Sequence, residues 1–274
     1  MGNIDPQTVA SFSDEWSRFD QSEMTDSELH EIFLKYFAIF PWADLPEEAE
    51  GFDMGCGSGR WARMVAPRVG KLNCVDPSEA IGIAKIALGN FDNVFFYKNS
   101  LDSTGLKPTS QDFGYSLGVL HHVPDTFAAI RSCAELLKPG APLLLYLYYA
   151  FDNRPFWFRA LWRLSDFARR LICRLPPALK HLVTDALATF VYWPLARLSR
   201  LMTGLGLNVQ SVPLSFYRDR SFYTMRTDAR DRFGTPLEQR FTRAQIEGMM
   251  LDAGLKEIRF SESAPYWCAV GVKA

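Results

Sequence analysis

The stretch GFDMGCGSGRWARMV, residues 51–65, decides the fold of this chain. A short apolar run, Gly51–Met54, is followed by three alternating glycines, Gly55, Gly57 and Gly59, and then by a segment with helical spacing. Glycine adopts positive φ angles and lets a ligand or another backbone approach closely. The pattern predicts a buried strand, a tight loop and a helix, with the loop either holding a ligand or making only the turn.

The spacing of the glycines narrows the class of ligand. Gly55-x-Gly57-x-Gly59 differs from the dinucleotide fingerprint G-x-G-x-x-G, in which the third glycine comes one place later. The backbone of the observed loop can approach the carboxylate and ammonium groups of an amino acid, and Asp53 supplies a counter-charge. A ligand-free turn remains the alternative.

Strand and helix patterns alternate on both sides of this stretch, and a helix around Ser27–Phe40 precedes it. Further strands are predicted at Lys71–Val75, Asn93–Tyr97, Asp112–Leu117 and Ala141–Tyr149, with helices at Arg60–Val69, Ser78–Leu88 and Thr126–Leu137. This alternation predicts a parallel sheet with helices on both faces. A helix capped by Thr242 and two strands, Lys256–Ser261 and Trp267–Val272, end the pattern, whereas residues 208–240 are predicted to be rich in loops.

The composition excludes several classes of protein. The 274 residues are 48% hydrophobic and carry a net charge of −1, which argues against a nucleic-acid partner for the molecule as a whole. The five cysteines are scattered without a CxxC pair, which argues against a disulfide framework and a metal site. The polar N-terminus and the short apolar runs predict a cytoplasmic protein.

Polar residues follow the other predicted strands. Asp76 lies 17 residues after Gly59, where an acid can accept hydrogen bonds from a ribose diol, although it could instead cap the next helix. Asn99, Ser100 and Leu101 follow the third strand and could meet an adenine edge. The fourth strand leads into a turn with two adjacent histidines.

These elements, in this order, resemble the class I methyltransferases that use S-adenosylmethionine. DMGCGSGRW is similar to their first motif, VDPS to the acid after the second strand, and GVLHHVPD and LLKPGAPLLLYLYY to the later motifs. FTRAQIEGMMLDAGL with two strands resembles their closing helix and antiparallel hairpin. The resemblance covers about residues 50–150 and 241–273. It implies a Rossmann-like α/β fold with a mostly parallel seven-stranded sheet and a helical insertion after strand 5.

The resemblance also implies S-adenosyl-L-methionine as the cofactor, and it argues against nicotinamide and flavin cofactors. Two departures are visible: Met54 replaces the usual leucine or isoleucine, and Asn99 and Ser100 replace the acid often found after the third strand. The implied cofactor contacts are Asp53, Gly55, Cys56, Gly57, Ser58, Gly59, Asp76, Pro77, Asn99, Ser100, Leu101 and Gly118.

The adjacent histidines and the N-terminal leader are candidates for more direct roles. His121 or His122 could deprotonate a substrate hydroxyl, since histidine titrates near neutral pH, or both could be packing residues. Phe12, Trp16 and Phe19 occur at helical spacing in the leader, which we interpret either as a docking face or as a lid over the cofactor.

Residues 153–204 form a basic, aromatic-rich insertion. Nine basic and two acidic residues give it a net charge of +7. An apolar stripe at helical spacing runs beside a basic face of Arg159, Arg163, Arg170 and Arg174; its members are Trp157, Leu161, Leu164, Ala168, Leu171 and Leu175. Three interpretations follow: a cap whose stripe packs on the core, a peripheral membrane contact, or a homodimer interface.

An acceptor pocket is expected above the carboxyl ends of the strands, bounded by the histidine turn, the end of the fifth strand, the insertion and a loop rich in Tyr and Arg. The candidate acceptor-binding residues are Tyr148, Tyr149, Tyr217, Arg218 and Tyr223. Such side chains suit a polar, anionic acceptor, and ordinary surface ion pairs are the alternative.

The sequence therefore predicts a methyltransferase that acts on a small molecule, with a hydroxyl acceptor favoured over an amine or a carbon. The alternatives are a membrane-surface enzyme acting on a quinone or lipid-linked acceptor, and a non-catalytic cofactor-binding partner protein. The predicted organisation is a leader or lid at 1–48, a cofactor-binding core at 49–152 and 241–274, and a substrate cap at 153–240.

Overall fold

The computed structural model describes residues 2–18 and 25–274. The chain divides into two compact units. The first contains residues up to 16, 29–150 and 237–274, and the second contains residues 151–236 with the described part of 17–28. The leader is therefore divided between the units, and residues 237–240 belong with the sheet.

The first unit is built on a seven-stranded sheet with the order β3-β2-β1-β4-β5-β7-β6. The strands are β1 Glu50–Met54, β2 Lys71–Val75, β3 Val94–Tyr97, β4 Phe113–Leu117, β5 Pro142–Tyr146, β6 Leu255–Phe260 and β7 Cys268–Lys273. β1 to β5 are parallel, whereas β7 is antiparallel to both β5 and β6. This topology confirms the predicted fold class, including the closing hairpin.

Ten α-helices occur in the described residues. They are α1 Pro6–Arg18, α2 Asp26–Tyr36, α3 Ala62–Val65, α4 Ala80–Ala87, α5 Thr126–Leu136, α6 Phe156–Ile172, α7 Pro177–Leu187, α8 Trp193–Gly204, α9 Phe222–Gly234 and α10 Arg243–Asp252. α6 to α9 lie between β5 and α10, which confirms the predicted helical insertion.

Local chemistry accounts for several helix boundaries. The Asp125 carboxylate accepts a hydrogen bond from the Ala128 N–H and so caps α5. Thr242 and Gln245 form a reciprocal capping box at the start of α10, as expected from the sequence. The helix predicted at Arg60–Val69 is shorter, because Pro67 lies in a 3₁₀ turn directly after α3.

The main core lies between the sheet and the helices α5 and α10. β4 is buried along its whole length, and β5 is buried up to its last residue. α5 contributes Ile130 and Cys133 to this core, and α10 contributes Ile246 and Met250. Strands buried on both faces carry continuous apolar runs, which is why they were recognisable in the sequence.

The second unit has a smaller core around α9, and the expectation of a loop-rich segment at 208–240 was wrong there. α9 buries polar and apolar side chains together, among them Tyr223, Met225 and Arg230. Its sequence therefore lacks an apolar stripe of helical period. The Ser221 hydroxyl accepts a hydrogen bond from the Thr224 N–H, and this N-cap was the signal that could have revealed the helix.

α6 presents two of its charged side chains, Asp166 and Arg169, to the interior of the second unit. Arg169 is buried, donates from Nε to Asp166 at 2.7 Å, and donates from Nη1 to the carbonyls of Thr235 and Pro236. Burial alone would raise the pKa of Asp166, but the hydrogen bond from Arg169 and the charges of nearby arginines hold that pKa below its usual value.

The expectation that the apolar stripe of α6 packs on the core was wrong, because Trp157, Leu161, Leu164 and Leu171 are exposed.

Candidate active site

The site lies where the strand order changes direction, at the carboxyl ends of β1 and β4. β1 pairs with β2 on one side and with β4 on the other, so the loops after β1 and β4 leave the sheet side by side. In open α/β sheets, ligands bind in the crevice at such a switch point. The glycine loop and the histidine turn follow these two strands.

The glycines of the loop are required by the packing of the protein itself. Gly55, Gly57 and Gly59 have φ angles of 83°, 54° and 83°, which glycine adopts without strain. A Cβ at Gly55 would lie 2.4 Å from the Val119 side chain, and one at Gly59 would lie 2.8 Å from Leu88. The loop is therefore held tightly against the turn after β4 and against α4.

Asp53 places a buried acid directly before this loop. Its carboxylate oxygens are buried and accept no hydrogen bond from the described residues. Burial raises the pKa of Asp53 to about 8. The nearby Tyr115 hydroxyl and the charge of Arg60 oppose this rise, whereas the charge of Asp76 adds to it. A cationic ligand group at this place would stabilise the ionised form.

Asp76 organises the loop from the end of β2. Its Oδ2 accepts a hydrogen bond from the Gly57 N–H at 2.9 Å, and its Oδ1 accepts bonds from the N–H and hydroxyl of Ser78. A carboxylate offers about four acceptor positions, so these three bonds leave capacity for a ligand hydroxyl. Asp76 thus both fixes the glycine loop and turns the chain into α4, whose first residue is Ala80.

The remaining predicted loop residues fall into different environments. Cys56 is buried, and the adjacent Cys74 thiol and burial raise its pKa well above the usual range. Ser58 is buried, and its hydroxyl has no hydrogen-bond partner among the described residues. Pro77 is half-buried between Asp76 and Ser78.

The segment after β3 is partly held by its own contacts. The Asn99 amide donates to the Thr104 carbonyl at 3.2 Å, and the hydroxyls of Ser100 and Ser103 lie 3.3 Å apart. The side chain of Leu101 packs at the margin of the main core. Any contact of these residues with an adenine ring stays a prediction.

Gly118 marks an open position at the end of β4. It has a φ of 81°, and its N–H donates to the Tyr146 carbonyl. A Cβ built at Gly118 would have no atom of the described residues within 4 Å, unlike one at Gly55. Gly118 therefore borders free space at the carboxyl end of β4.

The two histidines have different proton positions. The Nδ1 atom of His122 lies 2.7 Å from the Leu237 carbonyl oxygen, which can only accept, so Nδ1 carries the proton and Nε2 keeps its lone pair. The Nδ1 atom of His121 accepts from the Tyr148 N–H at 3.4 Å, which assigns the His121 proton to Nε2. In their neutral forms, His122 can act as a base at Nε2 and His121 can act only as a donor there.

The surroundings of His121 keep it uncharged. Burial, followed by the nearby charges of His122 and Arg240, lowers the pKa of His121 well below its usual value. Its ring stacks on Tyr148 with the centroids 3.9 Å apart, and the two histidine rings are separated by 4.0 Å. These contacts favour His122 over His121 as a proton acceptor.

A segment that the sequence analysis missed supports this turn. The Gln239 N–H donates to the His121 carbonyl, and its side-chain amide donates to the Val123 carbonyl at 2.7 Å. Arg240 lies over the Tyr148 ring at 4.9 Å and pairs with Glu238 at 2.8 Å. No sequence motif marks residues 237–240, because their role depends on contacts about 115 residues away in the chain.

The first part of α1 covers both loops of the site. The Phe12 ring packs edge-on against His122 with centroids 5.1 Å apart. The Trp16 indole lies over the glycine loop, since a Cβ at Gly57 would be 3.5 Å from it. Phe19, the third aromatic residue noted in the leader, lies outside the described residues.

Hydrogen bonds hold this helix and the segment before it at three places in the first unit. They are the paired bonds between Asn3 and the Asp125 backbone, the bond from the Leu237 N–H to the Thr8 hydroxyl, and the bond from the Glu79 N–H to the Ser13 hydroxyl. The anchors lie beside the histidine turn, the 237–240 segment and the start of α4. These contacts fit a lid, and that role stays a prediction.

The predicted acceptor residues divide between the two units. Tyr148 belongs to the histidine cluster, whereas Tyr149 packs beside Tyr266 and Trp267. The others belong to the second unit: Tyr217 packs against Tyr192, Tyr223 is buried, and Arg218 pairs with Asp219. Binding of the acceptor by these residues stays a prediction.

The comparisons with known proteins agree with this geometry. The family model of a methyltransferase domain matches residues 52–145. A ubiquinone biosynthesis O-methyltransferase of Vibrio vulnificus is 29% identical over 156 residues, which cover 56% of this chain and 65% of that relative. The match thus spans less than two thirds of the relative's own length.

Two solved structures are similar to the whole described fold. The CurJ carbon methyltransferase has a TM-score of 0.54 at 13% identity, over 99% of this chain and 61% of the other. A chain of the complex between the Haloferax volcanii Trm112 methyltransferase activator and a methyltransferase has a TM-score of 0.52 at 15% identity, over 95% and 96% of the two chains. At these identities the likeness concerns the fold alone.

Proposed function

We propose that the chain is a class I S-adenosylmethionine-dependent methyltransferase and that it transfers a methyl group to a hydroxyl oxygen of a small-molecule acceptor. The observation that carries the proposal is the geometry at the switch point of the sheet. There the unpartnered carboxylate of Asp53 and the Asp76 carboxylate flank the glycine loop, and that loop packs at Gly55 against Val119, in the turn that carries His122.

The described residues fit S-adenosylmethionine as the methyl donor. Its methionyl part carries an ammonium and a sulfonium, and Asp53 is a buried acid that lacks a hydrogen-bonding partner in the described structure. The free space at Gly118 and the remaining acceptor capacity of Asp76 support binding between the loops after β1, β2 and β4. Asp76 would hold ribose hydroxyls, and the loop backbone would face the methionyl end.

The chemistry can be written with a single displacement. S-adenosylmethionine, when bound, supplies a methyl group on a positively charged sulfur that leaves as a neutral thioether. The acceptor oxygen forms a bond to the methyl carbon as the sulfur–carbon bond breaks, and the hydroxyl proton moves to Nε2 of His122. The Leu237 carbonyl stabilises the resulting imidazolium through the Nδ1–H.

His121 and the leader have supporting roles in this proposal. His121 stays neutral and offers its Nε2–H as a donor, while its stacking fixes the Tyr148 ring. Phe12 and Trp16 exclude water from the region between His122 and the glycine loop. Exclusion of water strengthens electrostatic interactions and protects the methyl donor.

The relatives named ubiquinone biosynthesis O-methyltransferase support an oxygen acceptor. A quinone-type or lipid-linked acceptor is compatible with that name and remains the alternative substrate class. A non-catalytic partner protein is the alternative from another class, and it predicts cofactor binding without transfer to any acceptor.

The experiment is an assay with methyl-labelled S-adenosylmethionine and matched sets of phenols, hydroxyquinones, amines and carbon acids. Formation of S-adenosylhomocysteine together with a labelled methyl ether supports the proposal. Label found only on nitrogen or carbon would contradict the oxygen acceptor. Cofactor binding without turnover on any member of the sets would favour the non-catalytic alternative.

A further inference from the structure

The outer face of α6 is an apolar surface that the second unit leaves uncovered. It consists of Phe156, Trp157, Leu161, Leu164, Phe167 and Leu171, whose exposed fractions range from 42% to 78%. α6 has 17 residues and is therefore about 25 Å long, so these side chains form a continuous strip along it. Apolar strips of this extent on a protein surface are typical of binding sites.

The interior of the second unit does not compete for this strip. The opposite side of α6 carries Asp166 and Arg169, which are buried and bonded to each other, and Arg169 also holds two carbonyls near the end of α9. Turning the apolar strip inward would break this buried ion pair. The helix is thus fixed with its apolar face outward.

A row of arginines borders the strip on one side. Arg159, Arg163 and Arg170 are exposed and fall within one narrow arc of the helix, and the exposed Arg174 comes two residues after its last residue. Arg170 pairs with Asp166, whereas Arg159, Arg163 and Arg174 make no ion pair within the described part of the chain. An apolar strip beside arginines is the pattern of a helix that lies in the interface of an anionic bilayer.

A surface pocket lies on the arginine side of α6. It has a volume of about 370 Å³ and is lined by Trp162, Arg163, Asp166, Phe167 and Arg170. Two guanidinium groups and two aromatic side chains are suited to the phosphate and glycerol of a lipid headgroup. The pocket thus places headgroup chemistry directly beside the acyl-compatible strip.

From these observations we propose that the outer face of α6 binds an anionic phospholipid bilayer, with the helix in the plane of the interface. The charges favour a bilayer over a second copy of the chain. In a twofold dimer the same basic row would face itself, since residues 153–204 carry a net charge of +7. Among residues 2–18 and 25–274, none of the helices has the length and hydropathy of a membrane span.

The test is co-sedimentation of the full chain with vesicles of phosphatidylcholine, with and without phosphatidylglycerol. Binding is expected only with phosphatidylglycerol, and salt should reverse it. Each arginine at the surface contributes roughly fivefold, so substitution of Arg159, Arg163 and Arg174 by Gln should lower the partition coefficient by about 100-fold. Leu164→Asp with Phe167→Asp should lower it by a similar factor although every arginine remains.

Matched controls lie on the first unit. Ile86→Asp with Leu251→Asp changes two exposed apolar side chains on other helices, and Gln substitutions at Arg131, Lys256 and Arg259 remove three exposed positive charges. These variants should partition like the wild type. All substitutions are at exposed sites, so unchanged circular dichroism and unfolding temperatures verify the fold.

Several results would overturn the proposal. They are failure of the wild type to bind phosphatidylglycerol vesicles, equal binding to both vesicle types, and equal losses in the control variants. Sedimentation velocity of the chain without lipid tests the alternative occupant of this face, which is a second copy of the chain. A dimer that Leu164→Asp with Phe167→Asp dissociates would assign the face to a second copy and overturn the membrane contact.

Discussion

At the scale of the residue, His122 and His121 differ in the nitrogen that carries the proton. His122 keeps a basic Nε2 because its Nδ1–H is bound to the Leu237 carbonyl. We expect His122→Ala to lower kcat by roughly 10²- to 10⁴-fold, the usual contribution of a positioned base, with little change in cofactor affinity. Steady-state kinetics and cofactor titration measure the two effects separately.

His121→Asn is the matched variant. It should lower kcat by less than His122→Ala, because His121 is not the group that accepts the proton. A larger loss of kcat in the His121 variant than in the His122 variant would reverse the assignment.

Asp53 gives the cofactor-free protein a specific pH dependence. Burial raises its pKa from 3.8 to about 8, so between these values the folded state binds more protons than the unfolded state. The contribution of Asp53 to stability is therefore fully present below pH 3.8 and is lost as the pH rises to about 8. Asp53→Asn removes the titration, and its unfolding temperature should fall less over the same window.

Differential scanning calorimetry of both proteins without cofactor measures this difference. Other titrating groups are common to both, so only the difference between the two curves reports Asp53. Parallel curves across the window would show that Asp53 is ionised in the folded state and would remove the reason for placing a cationic ligand group beside it.

At the scale of the element, α6 allows a direct test of which side faces inward. Arg169→Ala leaves the buried Asp166 with weaker compensation and should reduce the free energy of unfolding by about 3 kcal/mol. Leu164→Ala, on the exposed side of the same helix, should change it by less than about 0.5 kcal/mol. Urea unfolding measures both.

The opposite ranking of these two variants would mean that the apolar strip is the packed side. That ranking is what the cap interpretation, one of three drawn from the amphipathic pattern, would predict. Periodicity shows that the side chains of α6 are divided into two faces, but it does not show which face is covered. Asp166 and Arg169 decide this through partners on α9 that are distant in sequence.

α9 shows a second limit of periodicity. Its buried residues include Thr227 and Arg230, so no apolar stripe distinguishes it from a polar loop. β5, by contrast, is apolar and buried up to its last residue, and a strand was predicted there at Ala141–Tyr149. Prediction succeeded where burial and apolar composition coincide, and it failed where buried polar groups satisfy one another.

At the scale of the whole molecule, parallel topology explains why part of the site could be predicted. The carboxyl ends of parallel strands lie at one edge, so acids and glycines that follow different strands must meet there. The hydrogen bond from the Gly57 N–H to Asp76 joins the residues that follow β1 and β2 in this way. The 237–240 segment and the proton positions on the histidines depend on tertiary contacts that no local pattern encodes.

The measurement that tests the account most directly is calorimetric titration of the full chain with S-adenosylhomocysteine. The wild type should bind it, and Asp76→Ala should weaken binding by roughly 10- to 100-fold, because a charged hydrogen-bonding partner of the ribose and an anchor of the glycine loop are lost together. Asp92→Ala, at an exposed acid elsewhere in the first unit, should bind like the wild type. Absence of binding to both S-adenosylhomocysteine and S-adenosylmethionine, with binding of NADH instead, would contradict the account.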